Sequence, residues 1–255
     1  MRIAILSDIH GNSIALDAVL RDIQGQGVDG YWFLGDYAAI GVDPVGVLER
    51  ITALPNATFI RGNTDHYITS DDWMPPNDAK RMNDPAAFPK LIEIARCFAW
   101  AQGAITTQGW LEWVANLPLE HRVTLPDGTR VLLVHAAPGM DDGPGIYPTM
   151  ADEDLRASVT GCEADLVFVG HIHWPFERQI DSVRVINVAS VSNPPAMDLR
   201  AKYAVLEADT AGWHVSFRQV EYDYGAVLEK IRRSCHPAAG YIRHFFEGKF
   251  YPDWL

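Results

Sequence analysis

Five short polar clusters each close a run of apolar, strand-like residues: Asp8-Ile9-His10, Gly35-Asp36, Gly62-Asn63, His135 and Gly170-His171-Ile172-His173. The runs before them, residues 2–6, 31–34, 58–60, 131–134 and 166–169, are short and rich in β-branched or aromatic residues. That pattern predicts strands buried on both faces. In sheets of parallel strands, ligand sites gather at the carboxyl ends, where side chains converge. All five clusters obey that rule. A sixth run, residues 183–188, has the same character.

Helical patterns lie between several of these strands. Asn12 or Ser13 caps a helix that puts Leu16, Val19, Leu20 and Ile23 on one side, and Gly25 and Gly27 end it. Pro44 opens a second helix, to residue 54. Residues 152–160 form a third. The later chain reads as more antiparallel. Asp127-Gly128 marks one hairpin and Ile180-Asp181-Ser182-Val183 another. Residues 203–207 and 213–220 pair across 209–212, and 225–233 and 241–247 read as closing helices. Residues 71–84, rich in Pro, Asp and Asn, read as a loop. Residues 88–103 and 107–117 then read as two helices, an insertion at about 86–117 placed as a partial lid. Its Trp100, Trp110 and Trp113 read as core rather than as a ligand platform. The expectation is one α/β domain over residues 1–255.

Composition narrows the function. A net charge of -12 argues against gripping a polynucleotide backbone, which needs basic surface. No segment has the roughly 18 uninterrupted apolar residues of a membrane helix. The chain opens on a strand-like run instead of a signal peptide. Its three cysteines, Cys97, Cys162 and Cys235, are odd in number and widely spaced. They read as reduced thiols of a cytoplasmic protein.

The clusters offer carboxylate, imidazole and amide oxygen, and no thiolate. Such donors suit Mn²⁺, Fe, Zn²⁺, Co²⁺ or Ni²⁺. A carboxylate can bridge two ions, and two ions roughly 3.5–4 Å apart can clamp a group under attack. Asp8 and His10, two apart, would point the same way from an extended strand end, as would His171 and His173. Gly35, Gly62 and Gly170 would let the backbone turn sharply beside a ligand.

In order and spacing these residues resemble the calcineurin-like metallophosphoesterase superfamily, with its Asp-x-His, Gly-Asp, Gly-Asn-His-Asp/Glu, strand-end His and Gly-His-x-His. Ser7-Asp8-Ile9-His10-Gly11-Asn12, Gly41-Val42-Asp43-Pro44, Val134-His135-Ala136-Ala137-Pro138 and Asp198-Leu199-Arg200-Ala201-Lys202-Tyr203 are similar to the bacterial and archaeal branch related to diadenosine tetraphosphatases and small phosphodiesterases. The resemblance implies a four-layer α/β/β/α sandwich. It implies one metal held by Asp8, His10, Asp36 and His173, and another by Asp36, Asn63, His135 and His171, with Asp36 as bridge and manganese the favoured ion. Asp36, Asn63 and His171 would carry the catalysis, both ions sharing a hydroxide nucleophile. Asn12 and Arg61 are weaker candidates for substrate contact.

Two departures stand out. Thr64 occupies the place of the family's histidine in Gly62-Asn63-Thr64-Asp65, with His66 two residues on. A threonine hydroxyl cannot act as a general acid near pH 7. The family's Asn-Pro-Gly-Ser segment is Asn187-Val188-Ala189-Ser190 here, so the backbone there is expected to differ. The expected activity is metal-dependent hydrolysis of phosphodiesters or dinucleotide polyphosphates, on a small, nucleotide-like substrate. The alternatives are a phosphomonoesterase like the protein serine/threonine phosphatases, or a non-catalytic scaffold that binds metal or nucleotide.

Overall fold

A computed structural model of the protein describes residues 1–70, 85–195 and 197–248. The loop expected at 71–84 lies outside the described residues. The chain order is β1 (Arg2–Leu6), α1 (Ser13–Gln24), β2 (Gly30–Phe33), α2 (Pro44–Thr52), β3 (Ala57–Phe59) and α3 (Asn63–Thr69). Then come α4 (Phe88–Thr107), α5 (Leu111–Ala115), β4 (Glu120–Thr124), β5 (Arg130–Val134), α6 (Asp152–Val159) and β6 (Leu166–Val169). The described chain closes with β7 (Phe176–Ile180), β8 (Val183–Asn187), β9 (Ala201–Asp209), β10 (Gly212–Val220), α7 (Tyr224–Arg233) and α8 (Ala239–His244).

The strands form two five-stranded sheets, ordered β10-β9-β1-β2-β3 and β4-β5-β6-β8-β7. In the first, β1, β2 and β3 are parallel, and β9 returns antiparallel to β1. In the second, β5, β6 and β8 are parallel, flanked by antiparallel β4 and β7. The Asp127-Gly128 hairpin joins β4 to β5, and residues 181–182 join β7 to β8.

Side-chain alternation explains the layering. On β1, Ile3 and Ile5 enter a core between the sheets, while Ala4 and Leu6 enter a core under the helices. On β5, Val131 and Leu133 face the central core, and Leu132 and Val134 face a third core with Leu155 and Val159 of α6. A strand with period two and both faces covered reads as a continuous apolar run, which is how β1, β5 and β6 look in sequence. The result is the expected α/β/β/α order. The local signals also behave as expected: the Asn12 side chain accepts the Ala15 N–H at 3.1 Å to cap α1, and Pro44 opens α2.

The helical pair lies where expected, as α4 and α5. It packs Cys97, Phe98, Ala101, Ile105 and Val114 into the first core. Trp100, Trp110 and Trp113 pack against that core, with Trp113 edge-on to Phe59 at 5.2 Å. Among the described residues, no helix is long and apolar enough to cross a membrane.

Candidate metal centre

The carboxyl ends of β1, β2, β3, β5 and β6 meet at one edge of the sandwich, and all seven candidate ligands lie there. Their orientation has a different origin from the extended strand end expected for the Asp-x-His and His-x-His pairs. β1 ends at Leu6 and β6 at Val169, before the pairs begin. Asp8 (φ 54°), His10 (48°), Asp36 (59°), His171 (68°) and His173 (59°) all adopt left-handed backbone. Aspartate and histidine tolerate this region better than most residues.

Backbone hydrogen bonds fix these turns to each other. Asp8 N–H donates to the Gly35 carbonyl at 3.1 Å, and Ile9 and His10 N–H both donate to the Asp36 carbonyl at 2.9 Å. The loop after β8 adds Ser192 N–H to the Asp8 carbonyl at 3.0 Å. Of the three ligand-side glycines, Gly35 turns with φ 93° as expected, but Gly62 is extended at φ −101°. Gly62 and Gly170 are needed for close approach instead. A Cβ at Gly62 would meet the Asp36 nitrogen at 2.6 Å, and one at Gly170 would meet Asp8 Oδ2 at 2.7 Å. The 187–190 segment bends sharply: Ala189 has φ 65°, and its N–H donates to Asn187 Oδ1 at 2.9 Å.

Each of the four imidazoles is oriented by a main-chain carbonyl. Nδ1 of His10 faces the Ala39 carbonyl at 3.0 Å, His135 that of Leu34 at 2.6 Å, and His173 that of Asn193 at 2.7 Å. His171 is reversed, with Nε2 on the Gly143 carbonyl at 2.8 Å. A carbonyl only accepts, so each of these nitrogens carries a proton and the other nitrogen is the one left to face the carboxylates, where a bound cation would take the place of any second proton. Those other nitrogens converge. Nε2 of His10 and His173 are 3.2 Å apart, and Nε2 of His135 and Nδ1 of His171 each lie 3.1 Å from Asn63 Oδ1.

The carboxylates sit among them. Asp36 Oδ2 is 3.5 Å from His135 Nε2 and 3.7 Å from His10 Nε2, between the two sets. Asp8 Oδ1 is 3.1 Å from His173 Nε2 and 3.9 Å from His135 Nε2, so it also reaches both. Asp8, His10 and His173 form one group able to hold a cation, and Asp8, Asp36 and His135 another. Asp8 is fully buried, and its Oδ1 has no hydrogen-bond partner among the described residues. An orphaned carboxylate oxygen facing imidazole nitrogens at 3.1–3.9 Å fits a divalent cation.

The local field agrees. Burial resists charge on His135, yet the Asp36 and Asp8 carboxylates raise its pKa to about 10. Burial likewise resists charge on Asp36, and His135 and His10 hold its carboxyl well below the usual range. Burial lowers His10 and, together with His135, lowers His171.

Several supporting residues escaped the sequence reading. Asp65 is fully buried and accepts three backbone N–H groups: Asp36 at 2.7 Å, Gly62 at 2.9 Å and Tyr37 at 3.0 Å. Burial and the Asp36 charge push its carboxyl up to about 7, against those three donors. Its position three residues after Gly62 makes it the N3 cap of α3, a signal present in the sequence. The Asn63 side chain presents Oδ1 to the imidazoles, 3.1 Å from both His135 Nε2 and His171 Nδ1. The weaker candidates are engaged elsewhere. Arg61 pairs with Asp141 at 2.5 Å, and Asn12 caps α1 and donates to Ser192 Oγ at 3.1 Å. His66 Nδ1 lies 3.5 Å from Asp141.

The sequence model of the calcineurin-like phosphoesterase superfamily domain matches residues 1–211. This chain belongs to that superfamily. As a calcineurin-like phosphoesterase it is a hydrolase of a family that uses divalent metal ions. It is similar to an uncharacterized protein of Methanocaldococcus jannaschii, 29% identical over 251 residues, covering 92% of this chain and 93% of the relative. The crystal structure of a metallophosphoesterase from Sphaerobacter thermophilus is similar at a TM-score of 0.71 and 26% identity, covering 96% of this chain and 100% of that one. A hypothetical protein from Pyrococcus horikoshii OT3 shares the fold at a TM-score of 0.78 and 22% identity, covering 94% and 97%.

A cleft of about 290 Å³ opens over the phosphoesterase's cluster of candidate ligands. His10, Asp36, Asn63, His171 and His173 form its floor, with Thr64 and Asn193 beside them. Among the described residues, neither His66 nor any side chain of α4 or α5 lines it; Phe245, just after α8, does.

Proposed function

We propose that this phosphoesterase hydrolyses phosphodiesters, with two divalent transition-metal ions held in the floor of the cleft. Asp8, His10, Asp36 and His173 would hold one ion, and Asp36, Asn63, His135 and His171 the other. One observation carries the reading: each imidazole has one nitrogen tied to a main-chain carbonyl and the other turned toward buried carboxylates, with Asp8 Oδ1 left unpaired. When bound, the ions supply charge neutralisation to the phosphoryl group and lower the pKa of water.

The chain's own groups do the positioning. The Ala39, Leu34, Asn193 and Gly143 carbonyls fix the imidazole tautomers before any ligand arrives, so no reorganisation is needed during the reaction. Asp36 Oδ1 accepts the Thr64 N–H at 2.9 Å, which leaves Oδ2 to face both histidine sets. Both nitrogens of His171 are engaged, one at Gly143 and one toward Asn63. His171 therefore acts on phosphoryl charge as a ligand rather than by donating a hydrogen bond to substrate.

The choice of diester over monoester rests on the leaving-group side. Thr64 lines the cleft and supplies no general acid, and His66 is paired with Asp141. A diester with a good leaving group needs no proton donor at that point. The three free thiols, two of them buried, fit a cytoplasmic enzyme.

An activity screen tests the reading. Nucleotides, dinucleotide polyphosphates, cyclic nucleotides, aryl diesters and phosphoprotein are offered with Mn²⁺, Ni²⁺ and Mg²⁺ supplied separately. Diester hydrolysis, greatest with Mn²⁺ and lost in Asp36→Asn together with both ions, is the expected result. Wild-type turnover by Asp36→Asn with two ions retained would remove the bridging role. No hydrolysis with any metal, while nucleotide still binds, would favour the scaffold.

A further inference from the structure

We propose that Phe245 selects the substrate by receiving an aromatic, base-like ester arm of a singly charged phosphodiester. The inference rests on the phosphodiester reading and narrows it. Besides its polar residues, the cleft is lined by Ile40, Pro144, Ile172 and Phe245. No lysine or arginine is among the described residues that line it. Charge on a bound phosphate would therefore be balanced only where the Asp and His residues would hold the ions. A polyphosphate would leave further negative charges against apolar walls, which is costly. A diester brings one charge to the floor and offers the walls an apolar arm. The cleft's volume of about 290 Å³ also lies near the low end of small-molecule sites, about 300–1,000 Å³. It fits one such arm better than a dinucleotide.

Among the described residues that line the cleft, Phe245 is the one aromatic hydrocarbon side chain, the kind that favours a planar arm over an aliphatic one. Its position is built. The flanking Ile242 and Phe246 are buried in the first core, and the Phe245 N–H donates to the Ile242 carbonyl at 3.2 Å. Tyr241 meets the Phe245 ring edge-on, with centroids 5.3 Å apart. Phe245 also lies beyond residues 1–211, the stretch that matches the superfamily. The aromatic residue proposed to choose the arm thus comes from a different part of the chain than the polar residues of the floor.

The test compares methyl 4-nitrophenyl phosphate with phenyl 4-nitrophenyl phosphate on the metal-loaded enzyme. Both release the same leaving group and differ only in the retained arm. The wild type should prefer the phenyl arm in kcat/KM by about tenfold, the scale of base–aromatic stacking. Phe245→Ala should bring that ratio close to one, mainly through KM, and Phe245→Trp should preserve it. A second readout needs no turnover: calorimetric binding of phenylphosphonate against methylphosphonate, with metal content measured on each variant. The phenyl preference in binding should vanish in Phe245→Ala while both ions stay. If the wild type cleaves neither diester yet shows that binding preference and loses it in Phe245→Ala, the arm site stands and the phosphodiester reading falls. An equal phenyl-to-methyl ratio in wild type and Phe245→Ala, in turnover and binding alike, overturns the inference. So does a loss of metal from Phe245→Ala that lowers both substrates together.

Discussion

Oδ2 of Asp65 accepts the backbone N–H of Asp36 at 2.7 Å, bracing from behind the left-handed turn that aims Asp36 into the cleft. Two further N–H groups depend on the same carboxylate, and all of them are buried with it. Asp65→Asn keeps the size but turns an amide donor toward at least one of these donors. Unfolding of the metal-loaded protein in denaturant should show a loss of about 2–4 kcal/mol. Stability within about 0.5 kcal/mol of wild type would mean that the turn does not depend on this side chain.

The two histidine sets make a second prediction. Alanine at His135 or His171 should remove mainly one ion and leave the other at least half occupied. Alanine at His10 or His173 should do the reverse. Elemental analysis of the four variants, with Zn²⁺ and Mn²⁺ loaded in separate sites where possible, reads the outcome. Equal depletion of both ions in all four would show that Asp8 and Asp36, which each reach both sets, merge the sites into one.

A third concerns proton supply to the leaving group. Because Thr64 lines the cleft and His66 does not, the wild type should cleave aryl esters far faster than alkyl esters. Thr64→His should raise alkyl turnover by about tenfold or more relative to aryl turnover. His66→Ala should leave the alkyl-to-aryl ratio unchanged. A selective fall in alkyl rate in His66→Ala would return the role to His66.

Stability should also depend on pH through a residue outside the site. His236 is 4% exposed, against the Trp100 ring at 4.3 Å, and burial lowers its pKa to about 4. An unfolded histidine titrates near 6.5. Between these values the unfolded chain binds a proton that the folded chain refuses. This contribution to stability is therefore intact above about pH 6.5, falls as pH drops toward 4, and changes little below. The loss should be on the order of 1–3 kcal/mol. His236→Asn, which keeps an acceptor for the Ala238 N–H, should flatten this part of the pH–stability curve. A wild-type curve already flat from pH 6.5 to 4 would contradict it.

The cluster of seven candidate ligands was legible because each follows an apolar, strand-like run, although β3, at the sheet edge before Asn63, is only half-buried. The sheets were legible for the same reason: β1, β5 and β6 alternate between two cores, so every residue after the opening Arg2 of β1 and Arg130 of β5 is apolar. α3 was not, because only Tyr67 and Ile68 of its seven residues are apolar, and its best signal is the capping carboxylate of Asp65. The left-handed backbone at Asp8, His10, Asp36, His171 and His173 was hidden for another reason. It is imposed by neighbouring turns, not by the residues that adopt it. Partners far apart in the chain were out of reach too, as with His135 and the Leu34 carbonyl 101 residues earlier. The matching of the 88–117 helices with the first core, and the arrival of Phe245 at the cleft, depend on packing that no local pattern encodes.

Every imidazole in the cluster leans on a main-chain carbonyl, and a carbonyl belongs to all twenty residue types. The identities of Ala39 and Leu34 can therefore drift without freeing the histidines they hold. What the cluster cannot absorb is a change in loop length, which would carry the carbonyl away whatever residue bears it. Point substitution and insertion thus threaten this site unequally: its tolerance is to spelling, and its vulnerability is to spacing.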